Sequence, residues 1–210
     1  MVAHVLPFFA EFTYAADVIL NKRYGKLIAA HFQRVIAQPD WSADIGDASK
    51  TGGPAVDLHV HDTHFIGLVA GVPKEVFSVG QMRGDSVDYL TTSYLYGSGG
   101  PTVTCSSGAV SPGRAFMHGY EIYLENATLA YSSAGIKLTV HEKMGNTFHP
   151  DLSAGGDEIA AFTREIQAAV EGVRTGEMPA LLSGQLARDA LVMCYKECES
   201  VRTGRPVAMN

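Results

Sequence analysis

Between Lys74 and His141 the chain is a run of short segments rich in apolar and β-compatible residues. They are Lys74 to Met82, Tyr89 to Tyr96, Thr102 to Val110, Phe116 to Leu124, Thr128 to Ser132 and Ile136 to His141, and the breaks contain Gly, Pro, Asp or Asn. No break is long enough for the crossover that parallel neighbours require, so consecutive segments pair antiparallel. Two of them alternate with period two. Tyr120, Ile122 and Leu124 are interleaved with Glu121, Tyr123 and Glu125, and Ile136, Leu138 and Val140 with Lys137, Thr139 and His141. Each therefore has one apolar face and one mixed face.

Helical spacing flanks this run. Phe8, Phe12, Ala15, Ile19 and Leu20 recur at three and four residues over Phe8 to Lys22, and Gly25 ends that stretch. Leu27 to Ile36 reads as a strand, Pro39 to Gly53 as a polar loop holding Trp41, and Asn146 to Gly156 as a second loop. Two closing helices carry apolar stripes, one of Ile159, Phe162, Ile166, Val170 and Val173, the other of Leu186, Ala190, Met193 and Val201. Segregated helices and strands give an α+β fold: an open, mostly antiparallel sheet of about six strands with helices packed on one face, residues 1–210 forming one domain. A doubly wound nucleotide fold is excluded because strands and helices do not alternate and Gly-x-Gly-x-x-Gly is missing. Gly97-Ser98-Gly99-Gly100 lies between two strand segments and reads as a hairpin turn.

Composition narrows the function class. The chain of 210 residues is 46 % apolar with a net charge of −6, and no basic run exceeds Lys22-Arg23, so the basic stripe of a nucleic-acid-binding surface is missing. No apolar stretch approaches the roughly 20 residues that span a bilayer. Cys105, Cys194 and Cys198 are too few and too odd in number for a disulfide framework, and point to a reducing cytoplasm.

Ionisable groups crowd in one place, Asp57-Leu58-His59-Val60-His61-Asp62-Thr63-His64. As a strand, it would put Asp57, His59 and His61 on one face, like the His-x-His strand of metal-dependent hydrolases. Those enzymes are eight-stranded α/β barrels, and the residues after His61 read as an antiparallel meander. As a helix, Pro54 falls in the first turn, Ala55, Leu58, Phe65, Ile66 and Val69 form a stripe, and Gly71 closes about 17 residues. This reading accounts for more of the segment. It sets Asp57 and His61 one turn apart on one face, with His64 next, while His59 points away as a structural residue. A carboxylate can orient an imidazole, and an imidazole can take a proton from an alcohol.

The pattern Gly-Gly-x-x-x-Asp-x-x-x-His-Asp, present as Gly52, Gly53, Asp57, His61 and Asp62, resembles the motif of the glucose–fructose oxidoreductase, inositol dehydrogenase and rhizopine catabolism family (Gfo/Idh/MocA). Val2-Ala3-His4-Val5-Leu6, Tyr24-Gly25-Lys26-Leu27, Pro39-Asp40-Trp41-Ser42, Asp189-Ala190-Leu191 and Ser200-Val201-Arg202-Thr203-Gly204-Arg205-Pro206-Val207 are similar to further family segments. The resemblance implies an oxidoreductase of sugars, polyols or related alcohols. In it an N-terminal Rossmann domain holds NAD or NADP, and an open-sheet C-terminal domain binds substrate and builds oligomers. It implies His61 as proton acceptor and Asp57 as the residue touching substrate and histidine, and His64, three residues after His61 in the helix reading, is a further candidate substrate contact. The Rossmann domain and its Glu-Lys-Pro motif are not found here, since Glu142-Lys143 is followed by Met144, and Pro7 stands where many relatives have Arg.

By resemblance, then, the chain is a C-terminal substrate-binding and oligomerisation domain. It is expected to bind no cofactor or metal alone and to self-associate through its sheet. The other readings are a non-catalytic assembly module and a metal-dependent hydrolase using His59 and His61. Tyr89, Tyr94, Tyr96, Tyr120, Tyr123 and Tyr131 read as packing or interface residues, and Arg114 as a solvated turn residue.

Overall fold

A computed structural model describes residues 1–38, 47–113 and 115–209. Trp41, the rest of the Pro39-Asp40-Trp41-Ser42 segment, and Arg114 lie outside the described residues. A 3-10 turn at Leu6–Phe8 precedes helix α1 (Ala10–Leu20), strand β1 (Leu27–Val35) and the short helices α2 (Ala48–Thr51) and α3 (Pro54–Asp57). After α4 (Val60–Ala70) come β2 (Glu75–Arg83), β3 (Ser86–Leu95), β4 (Thr102–Gly108), β5 (Met117–Leu124), β6 (Ala127–Ser132), β7 (Ile136–Glu142) and β8 (Thr147–Phe148). Helices α5 (Glu158–Thr175) and α6 (Gly184–Thr203) and strand β9 (Val207–Ala208) close the chain.

The strands form one open sheet in the order β8-β7-β6-β5-β1-β4-β3-β2-β9. Every pairing is antiparallel except β1 with β4, where Phe32 stands beside Cys105. The sheet has nine strands where about six were expected. β1 was already read as a strand, and β8 and β9 have two residues each, too few to show any alternation. The parallel pair is possible because α2 to α4 and the β2–β3 hairpin all lie between β1 and β4, ample length for a crossover.

One sheet face carries the core. Inward positions of β1 (Ala30, Phe32, Arg34), β5 (Tyr120, Ile122) and β4 (Val103, Cys105) are buried, as period two dictates for a half-covered sheet. Phe12 of α1 packs edge-on against Phe65 of α4 at 5.1 Å and against Tyr120 at 5.2 Å between ring centres. The opposite face is the mixed one, with His31, Gln33, Thr91 and Thr104 half buried and Ile28, Val79 and Tyr123 exposed.

Two helical expectations need correction. Residues 54–70 are not one helix. The Leu58 and His59 amides both bond to the Pro54 carbonyl, at 3.2 Å each, and the Asp62 amide then bonds to His59 O. The winding loosens and tightens within one turn, which separates α3 from α4. The stripe on α5 is not buried either. Ile159, Phe162, Ile166, Val170 and Val173 are 51–75 % exposed, because the helix packs through its small residues, with Ala161 in a cluster with Phe8 and Leu182 and Ala168 and Ala169 at its margin.

Candidate functional site

The segment that carries the site is set by two glycines. Gly52 and Gly53 have φ of 81° and 79°, and a Cβ on Gly53 would lie 2.1 Å from Ser86 Oγ. Only glycine meets both the left-handed backbone and the close approach. Pro54 then opens α3. Asp57 ends that helix with its residue exposed, and the protein packed around it raises its carboxyl above the ordinary carboxylate value. Asp57 makes no hydrogen bond to His61 among the described residues.

His61 sits one residue into α4, half buried. Burial, with the Arg34 guanidinium adding to it, pushes its pKa down to about 4, Asp62 opposing. It belongs to a group of imidazoles. His4 stacks on His64, with ring centres 4.2 Å apart and planes 22° from parallel, and meets His61 edge-on at 6.1 Å. His64 is fully buried, and burial with the neighbouring His4 and His61 lowers its pKa to about 3. Burial lowers that of His4 as well. His4 Nδ1, His61 Nδ1 and both nitrogens of His64 are buried without a hydrogen-bond partner in the protein. His118 of β5 is similar: its Nδ1 has no partner, and its pKa is pushed down to about 4, mainly by burial. The cluster is thus a set of buried, neutral imidazoles with unpaired nitrogens, each ring offering one donor and one acceptor.

A second polar group lies behind the first, deep in the core. His59 is fully buried; its Nε2 is 2.5 Å from Glu197 Oε2 on α6 and its Nδ1 2.8 Å from Ser107 Oγ on β4. Tyr94 OH lies 3.2 Å from His59 Nε2, and Thr92 Oγ1 donates to Glu197 Oε2 at 3.2 Å. Burial lowers the His59 pKa, but the Glu197 carboxylate outweighs it and the net shift is upward. Beside it Arg34 donates two bonds to buried Asp62, Nε to Oδ2 at 2.6 Å and Nη2 to Oδ1 at 3.1 Å.

The structure therefore brings His61 and His64 together around His4 and leaves Asp57 at the exposed end of α3. His59 has both ring nitrogens engaged in the core and is not free to act with His61 as a metal ligand. One group of three potential ligands, His59, Asp62 and Cys105, has its atoms within 4.8 Å among the described residues. Its Asp62 is held by Arg34 and its His59 by Glu197, so the donors are committed elsewhere. Sequence reasoning missed Arg34 and Glu197, although each had a signal. Arg34 shares inward parity with Ala30 and Phe32. Glu197 falls on the buried face of α6 with Ala190, Met193, Cys194 and Ser200. A charge on an apolar stripe calls for a buried partner. His4 lies too far away in sequence for any spacing argument.

Residues 12–130, more than half of the chain, match the GFO/IDH/MocA C-terminal domain family. Among solved structures, levoglucosan dehydrogenase in complex with NADH and levoglucosan superposes with a TM-score of 0.83 at 14 % identity, covering 100 % of this chain and 65 % of that one. UDP-N-acetylglucosamine 3-dehydrogenase from Acidithiobacillus ferrooxidans gives 0.74 at 18 % identity, covering 96 % and 61 %. At such identities the likeness is one of fold. This chain spans less than two thirds of the length of either structure. A search of curated proteins finds no sequence match.

Proposed function

Since the chain belongs to the GFO/IDH/MocA family, we propose that it is the substrate-facing part of an NAD(P)-dependent oxidoreductase acting on a sugar, polyol or related alcohol. In this reading His61 accepts the proton of the substrate hydroxyl and Asp57 contacts the substrate. The observation that carries the reading is His61 itself, held neutral at the start of α4 with a free, buried Nδ1. A neutral imidazole is the form that can take a proton. Its basicity is recovered as the hydroxyl proton leaves, because the negative charge developing on the substrate oxygen favours the charged imidazole. His4, edge-on to His61, limits the ring's rotation, and buried His64 supports His4 from beneath.

A bound nicotinamide would supply the acceptor for the substrate hydride. The sequence offers it no Gly-x-Gly-x-x-Gly turn, and the glycine-rich run Gly97 to Gly100 joins β3 to β4. Holding the cofactor is therefore assigned to a separate dinucleotide-binding domain, and the α5 stripe is the surface suited to meet it. Five large apolar side chains on one helix face are unusual on a free surface. Glu165 of the same helix is buried, with the His4 backbone acting on its carboxylate. The mixed sheet face, with Ile28, Val79, Tyr123 and Ile136 exposed, is the surface for self-association.

The test is His61→Ala in the enzyme assembled with a dinucleotide-binding domain, followed by NAD(P)H absorbance over a panel of sugars and polyols. Loss of about 10²–10⁴-fold in kcat, with the circular dichroism spectrum unchanged, is expected for a general base. Turnover near that of the parent would remove His61 from the mechanism.

A further inference from the structure

A fold of this kind has no thermodynamic need to bury His59 with Glu197. Both are 0 % exposed, and a buried ion pair is commonly no more stable than apolar residues of the same volume. What the pair does have is a position. His59 stands at the break between α3 and α4, two residues after Asp57 and two before His61. Through Glu197 it is tied to α6, through Tyr94 to β3 and through Ser107 to β4. Asp62, one residue past His61, is tied to β1 by Arg34. The chain is thus anchored on both sides of His61 by charged groups that converge in the core, His59 and Asp62 offering atoms within 4.8 Å of each other. The irregular bonds at Leu58, His59 and Asp62 mark the place where the helix yields to these anchors.

We propose that His59 and Glu197 are positioning residues: bonded to each other in the core, they pin the α3–α4 break so that Asp57 and His61 face the substrate together. The Arg34–Asp62 pair holds the other side of His61. A continuous helix through this segment would turn residue 59 away from Glu197 and change the angle between the Asp57 and His61 side chains. Directional bonds with fixed lengths specify such an angle better than apolar packing does. The inference rests on the reading of His61 as proton acceptor, but it can be tested without turnover.

The experiment uses the 210-residue chain and the isosteric change Glu197→Gln, which keeps the shape and removes the charge. Two quantities are read by NMR: the titration of the His61 ring and the amide exchange of residues 58–62. Loosening of the break should solvate His61 and raise its pKa by about one unit. It should also speed exchange at 58–62 by about tenfold while β3, β4 and β5 keep their protection. An unmoved His61 with exchange unchanged, or faster to the same degree everywhere, would mean that the pair only stabilises the fold, and the proposal fails. If Glu197→Gln does not fold, Tyr94→Phe is read in the same way, because it removes the hydroxyl that meets the His59–Glu197 pair, 3.2 Å from His59 Nε2, and leaves both charged groups in place. A change confined to 58–62 supports positioning, and a uniform change or none overturns it. His61→Ala turnover separates the two claims. If His61 moves in these variants but is dispensable for catalysis, the positioning stands and the catalytic reading falls.

Discussion

His59 and His61 lie two residues apart at the start of one helix, and the fold treats them in opposite ways. His59 points into the core, has a partner on each ring nitrogen, and is pushed toward its charged form by Glu197. His61 points to the imidazole cluster, has a buried nitrogen with no partner, and is held neutral by burial and by Arg34. A buried polar group without a bond costs about 1–3 kcal/mol. His59 avoids that cost, whereas His61 bears it, as do His4, His64 and His118 and the second carboxylate oxygen of Glu197, Oε1. Groups that are bonded to the limit hold the backbone. Groups left unbonded are available to a ligand or to ordered water.

The largest effect that would break this contrast lies on the bonded side. Glu197→Ala strands a buried histidine and should cost about 3–5 kcal/mol in denaturant unfolding, the usual penalty for breaking a buried pair. A loss under about 1 kcal/mol would mean that water reaches the pair and that the core there is not dry.

Next comes pH, where the two sides have opposite signs. His61, His64 and His118 have folded pKa values of about 4, 3 and 4, below the 6.5 of the unfolded chain. The unfolded state binds protons first, so their contribution is intact above pH 6.5 and is lost as pH falls toward 4. His59 is raised, so its contribution is intact below 6.5 and is lost as pH rises through its folded value. His64→Phe should flatten the acid limb by about 1.4 kcal/mol per pH unit for the one group removed. Thermal melts between pH 7 and pH 4.5 would measure this, and an acid limb with the same slope in both chains would show that His64 is protonated at little cost in the native state.

The fold was legible where one physical preference acted alone. Period-two alternation in β5 and β7 and short polar breaks gave an antiparallel sheet, and segregated helices gave the α+β class. The strand β1 was legible, but its central place parallel to β4 was not, because nothing local distinguishes a parallel neighbour across so long a connection. The α3–α4 break was hidden because every residue from Ala55 to Phe65 suits a helix, and the partners that His59 meets at the break, Glu197 and Ser107, are far away in sequence. At the site, the Asp57–His61 spacing and the resemblance pointed to the segment that carries His61, and His64 stacks on His4 in the same cluster. The expected orienting bond from Asp57 to His61 has no counterpart among the described residues. His4 supplies the neighbouring ring instead, brought in by the turn at Leu6–Phe8, beyond the reach of a spacing argument.

The smallest effect on the chain itself sharpens the contrast from outside. Ile166 is 63 % exposed in the middle of the α5 stripe, so Ile166→Glu should change the stability of the isolated chain by no more than about 0.5 kcal/mol. Against a dinucleotide-binding domain the same change buries a charge in an apolar contact. Affinity measured by calorimetry should then fall by about a hundredfold, the equivalent of roughly 2.7 kcal/mol. A variant that folds normally but no longer associates would make α5 the surface through which the neutral histidines meet the cofactor. Unchanged affinity would move the contact elsewhere, and the exposed stripe would then need a different partner.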